Sequence, residues 1–137
     1  MTGDLLERMP QKGPMLLIER VVEIDADRIR CVARDHGGAD YPLRVDGDLE
    51  PASLVELGAQ AAAAHASAHG MGQRHAGLLL ALHEVEILGD AGEGPLDIQA
   101  ECMFFEEGAA RYRFTVGSSR APVLRGEATM KMRRVDP

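Results

Sequence analysis

The chain has 137 residues, 45% hydrophobic and 27% charged, the balance of an ordinary globular domain whose single core buries about two thirds of the unfolded surface. Its 15 Lys and Arg face 22 Asp and Glu, a formal net charge of −7, with no basic stripe to bind nucleic acid. Cys31 and Cys102 stand far apart without metal-ligand spacing, so neither a disulfide framework nor a zinc site is expected.

The opening MTGDLLERMPQKG is polar and has no apolar signal core, and Asp4 to Met9 suit a short helical turn ended by Pro10. No apolar run reaches the ~20 residues that cross a bilayer, so no membrane contact and a cytoplasmic location are expected. From Met15 the chain reads as extended: MLLIERVVEI, an Asp-rich turn at Asp25 to Asp27, then RIRCVAR. In that second run Ile29, Cys31 and Ala33 face one way and Arg28, Arg30 and Arg34 the other, the alternation of a half-buried strand.

His36 to Glu50 is rich in glycine and aspartate and reads as loop. Pro51 then opens a helix, where its missing N–H costs nothing, and Asp48 and Glu50 set negative charge at the positive end of the helix dipole. The helix runs to about Ala68 and ends at Gly70. It is alanine-rich and carries one acidic residue, Glu56, with Gln60 one turn later on the same face. A surface helix would hold more lysine and glutamate; this is a core helix.

After Gly72 the period changes to two. LLLALHEVEIL, LDIQAECMFF, ARYRFTV and VLRGEATMKMR form four strands, separated by the turn-like GDAGEGP, EEGA and GSSRAP. His83 is placed on the apolar side of its strand with Leu79, Ala81, Val85 and Ile87, as a satisfied core or interface histidine. His65 and His69 stand four apart on the helix, but no third ligand accompanies them and no metal site is expected. The whole is a single α+β domain over residues 1–137, one antiparallel sheet wrapped around one long central helix.

Three segments carry a family resemblance. MPQKGPMLLIERVVEID is similar to a Leu-Pro-His element followed by Pro-Met-Leu-Leu and an acidic-Arg-Val. YPLRVDGDLEPA is similar to an Asn-Pro-Leu…Asp-Gly-x-Leu-Pro-Ala run, and LVELGAQAAA to a Glu-x-x-Ala-Gln signature. With these the chain resembles the hotdog-fold β-hydroxyacyl-(acyl carrier protein) dehydratases, most of all the branch associated with aryl polyene biosynthesis.

The resemblance implies dehydration of a 3-hydroxyacyl thioester to the trans-2-enoyl product, in fatty acid or polyene-type biosynthesis, without metal or other cofactor. One group must remove the C2 proton while another protonates the departing C3 hydroxyl. Glu56 matches the helix carboxylate and is the expected acid, with Gln60 orienting it. Standard members carry a His-Phe-Pro-Gly element upstream, but the equivalent position here is Pro42, beside Tyr41, with no histidine. The nearest histidine is His36, twenty residues before Glu56, and it is the expected base; Tyr41 is the fallback, a phenol that could act as acid or simply bind but is a poor base. Because Pro51 lacks an N–H, a donor to the thioester carbonyl is expected from the Leu43 to Val45 stretch.

Tyr41, Pro42, Leu43, Ala52 and Gln60 are expected to bind substrate, the acyl tail lying beside small helix residues such as Ala52, Ala59 and Ala63. The substrate's carrier would be acyl carrier protein or coenzyme A, drawn to the Arg28–Arg30–Arg34 strand or to Lys131, Arg133 and Arg134. The chain would pair with a second copy or a paralogous hotdog subunit, sheet edge to sheet edge. The alternatives are a non-catalytic acyl-binding or partner subunit, motivated by the missing histidine, and a thioesterase using a carboxylate and water.

Overall fold

A computed structural model describes residue 6 and residues 13–68, 75–106, 108–118 and 121–134, with only the backbone of 75–80 and 132–134. The remainder of the expected turn at Asp4 to Met9, and His69, Gly70 and Gly72, lie outside the described residues. Strand β1 spans Ile18–Ile24 and β2 Arg28–Ala33, joined by a tight turn in which the Asp25 carboxylate accepts the backbone N–H groups of Asp27 and Arg28. These two bonds hold its pKa below the usual carboxylate value.

The helix follows as expected, with its first turn wound more tightly than the rest. Pro51–Leu54 form a 3-10 turn and α1 continues from Val55 to Ala68. Every residue from Leu57 to Ser67 is buried, which the run of alanines permits because their short side chains let strands close in on the axis. Strands β3 (His75–Ile87), β4 (Asp97–Glu106), β5 (Ala109–Gly117) and β6 (Pro122–Arg134) complete the sheet. All neighbours are antiparallel, in the order β1-β2-β4-β5-β6-β3.

The alternation of the sequence is the alternation of the sheet. Ile98 and Ala100 of β4, Tyr112, Phe114 and Val116 of β5, and Leu124, Ala128 and Met130 of β6 point inward onto α1. On the outer face charges meet across strands: Arg28 with Glu101, Arg111 with Glu127 and Arg125 with Glu86.

His83 departs from its expected place. Its Nε2 lies 3.0 Å from the hydroxyl of Thr129, an outward-facing residue between the buried Ala128 and Met130. A register shift between Leu79 and Ala81 sets Ala81 and His83 opposite the outward-facing Thr129 and Glu127, and a second shift between His83 and Glu86, with Glu84 at φ 50°, brings Ile87 opposite the buried Leu124. The histidine is satisfied, on the outer face.

Candidate active site

Glu56 stands in the first turn of α1, partly exposed, where the helix leaves its 3-10 start. Gln60 lies one turn deeper and fully buried, and its carboxamide is fixed by three bonds. Its Oε1 accepts the Leu17 N–H at 2.9 Å, while its Nε2 donates to the Met15 carbonyl at 2.8 Å and to Glu56 Oε1 at 3.1 Å. Because Leu17 supplies a donor, the amide oxygen must face it, and the NH₂ group faces the carboxylate. Glu56 Oε1 is thereby occupied as an acceptor, which leaves Oε2 for other work. Arg34 secures the same opening segment, its Nη1 reaching the carbonyls of Gly13, Pro14 and Leu16 at 3.0–3.3 Å.

His36 is buried in the loop after β2, and its Nε2 lies 2.8 Å from the Gly92 carbonyl. A carbonyl oxygen only accepts, so Nε2 carries the proton and Nδ1 is left as the basic nitrogen. Gly92 adopts φ +62° in the β3–β4 connection, a backbone state that glycine reaches without strain. The Arg44 guanidinium grips the His36 carbonyl through Nε at 3.0 Å and Nη2 at 2.8 Å, and its Nη1 donates to the Gly47 carbonyl at 2.9 Å. Val45 and Asp48 exchange backbone bonds around a turn whose central residues, Asp46 and Gly47, both have positive φ. The loop expected between His36 and Glu50 is thus tightly pinned.

Tyr41 packs its ring edge against His36, with centroids 6.2 Å apart, and is buried. Burial pushes its phenol above the ordinary value, against the opposing charges of Arg34 and Arg44. That direction keeps the phenol a poor base, as its residue type implies. Pro42 and Leu43 are half-buried beside it, and Ala52 is exposed at the start of the helix, unlike the buried Ala59 and Ala63.

The residues therefore assemble as two pairs, Glu56 with Gln60 and His36 with Tyr41, and among the described residues no hydrogen bond or ring contact joins the pairs. The sequence reading missed Gly92 and Arg44, the groups that set the tautomer and position of His36. It also assigned Arg34 to a surface patch, whereas its guanidinium serves the opening turn. His65 Nε2 donates to the Asp25 carbonyl at 2.9 Å, and its Nδ1, 2.6 Å from Tyr112, receives that hydroxyl. The ring ties helix to sheet.

Comparison with known proteins agrees with this architecture. The fold is similar to that of the dehydratase heterocomplex ApeI:P from Xenorhabdus doucetiae, with a TM-score of 0.79 at 20% identity over 98% of this chain and 92% of that one. It is also similar to a thioesterase from Haemophilus influenzae (TM-score 0.68, 12% identity, 84% of this chain and 78% of that one). A hypothetical thioesterase with coenzyme A from Streptococcus pneumoniae gives a TM-score of 0.63 at 15% identity, over 85% and 87% of the two chains. No curated protein matches the chain by sequence. Residues 4–134 match the ApeP-like family, described as ApeP dehydratase, so the chain belongs to the ApeP-like dehydratases.

Proposed function

We propose that this dehydratase removes water from 3-hydroxyacyl thioesters carried on acyl carrier protein, with His36 as base and Glu56 as acid. The observation that carries the reading is the carboxamide of Gln60, which holds one oxygen of Glu56 and leaves the other free. His36 Nδ1 takes the C2 proton; the electron pair left on C2 becomes the C2–C3 double bond. The C3–O bond breaks as Glu56 Oε2 delivers its proton, and water departs. Exchange with solvent returns the proton from His36 to Glu56. Pro42 and Leu43 would border the thioester and Ala52 the mouth of the acyl channel.

The chain acts as a dimer in this reading, with a second copy or a paralogous hotdog subunit, and the substrate bridges the two residue pairs at the interface. Two facts support it: among the described residues no hydrogen bond joins the two pairs, and β3, a sheet edge, exposes Leu82, Val85 and Ile87, with Leu88 exposed just beyond it. A cytoplasmic location is part of the same proposal. Separately, no helix among the described residues is long and apolar enough to cross a membrane.

The test is turnover of 3-hydroxyacyl-carrier protein followed by mass spectrometry. Dehydrated product is expected from the native chain in its assembly, with Glu56→Gln and His36→Ala each slower by about a hundredfold or more. Free acid in place of the enoyl thioester would overturn the reading in favour of thioester hydrolysis.

A further inference from the structure

Among the described residues, the Tyr41 hydroxyl is the buried side-chain polar atom left without a hydrogen-bond partner. The residue is only 6% exposed, and an unmet hydroxyl there carries a desolvation cost that folding does not recover. Backbone bonds hold the residue in place on both sides: its N–H donates to Gly38 at 3.1 Å and its carbonyl accepts from Arg44 at 2.9 Å. The ring that carries the orphan oxygen is therefore held by its loop, in edge contact with the His36 ring. It keeps its proton, since burial pushes the phenol upward, and it lies within the field of two cationic side chains, Arg34 and Arg44. That is the setting of a donor for an oxygen that gains negative charge.

The reaction has such an oxygen. When His36 withdraws the C2 proton, electron density moves onto the thioester carbonyl. Two of the three backbone donors expected for it are already spent: the Arg44 N–H goes to the Tyr41 carbonyl and the Val45 N–H to the Asp48 carbonyl at 2.8 Å, which leaves the Leu43 N–H as the competing donor. Pro51 has none.

We propose that the Tyr41 hydroxyl is the hydrogen-bond donor to the thioester carbonyl oxygen of the acyl substrate. The proposal rests on the reading of this site as one that binds acyl thioesters. Tyr41 transfers no proton. It polarises the carbonyl, while the C2 proton goes to His36 and the departing hydroxyl is protonated by Glu56.

The test uses a saturated acyl-pantetheine thioester labelled with ¹³C at the carbonyl and bound to the full chain in its native assembly. Infrared difference spectra of the native protein should show the carbonyl stretch moved below its frequency in water, and Tyr41→Phe should abolish that displacement. In turnover, Tyr41→Phe should lower kcat by about a hundredfold, the usual effect of removing one such donor, with little change in KM. Its melting temperature should be no lower than that of the native protein, because no existing bond is lost.

An equal carbonyl frequency in the two bound forms would overturn the assignment while leaving the dehydratase reading intact. A Tyr41-dependent displacement in a protein that never releases water would sustain the assignment and overturn the dehydratase reading. Failure of the native chain to bind the thioester would overturn both.

Discussion

Single residues here are held by partners distant in the sequence, and their ionisation follows from that. Cys31 is fully buried and burial pushes its thiol from the ordinary 9.0 up to about 12. Between those values the unfolded chain releases a proton that the folded chain keeps, so raising the pH favours unfolding. The loss is up to about 1.4 kcal/mol per pH unit. Tyr112, also pushed upward by burial, acts in the same sense above its ordinary 10.0. Urea-unfolding midpoints should hold steady up to pH 9 and fall beyond it, and Cys31→Ala should flatten the first part of that fall. A midpoint that declines equally in both proteins would assign the alkaline loss to other groups.

At this scale the site was half legible. Glu56 and Gln60 lie four apart on one helix, a spacing that any helical reading puts face to face, and the structure joins them by a hydrogen bond. The orientation of His36 was illegible, because it depends on a carbonyl 56 residues away in a glycine-rich connection. Local patterning says nothing of such a meeting. Arg34 misled for a related reason: alternation marks it as outward, but a long side chain can still turn back to cap neighbouring carbonyls.

Among elements, the decisive contact is that of α1 with β5. The Phe114 ring is fully buried between Gly58 of the helix and Gly126 of β6. A methyl at position 58 would fall 2.7 Å from Phe114 Cε1 and overlap the ring further along, and one at 126 would fall 3.0 Å from Cζ. The two glycines make the slot in which this aromatic ring packs against the alanine-rich helix. Gly58→Ala should cost about 1–3 kcal/mol, the usual range for overpacking, measured by denaturant unfolding. Combining it with Phe114→Leu should return part of that loss; strictly additive losses would show that the two sites do not share one slot.

The strands themselves were read with nearly correct limits, since a period of two is a strong signal where one face is buried. The two register shifts in β3 were not, and the first, between Leu79 and Ala81, moved His83 to the outer face. Neither that shift nor the positive-φ Glu84 of the second leaves a mark in hydropathy.

For the whole molecule, the sheet order sets where a partner fits. β3 pairs with β6 along one side and, among the described residues, has no strand on its other edge, next to a row of exposed aliphatic residues. Ile87, 51% exposed, lies at the end of that row. Ile87→Lys should weaken the assembly, shifting native mass spectra toward single chains, and should lower turnover in proportion to the loss of dimer. Full activity from single chains would show that each protomer holds a complete site.

The anchoring of Gln60 also gives the molecule a built-in reporter. The amide proton of Leu17 rests on the same carboxamide that steadies Glu56, so the rate at which it exchanges with heavy water tracks how often that carboxamide swings away. An isotope label at one backbone nitrogen, far in sequence from the helix, would thus keep time for the carboxylate of Glu56.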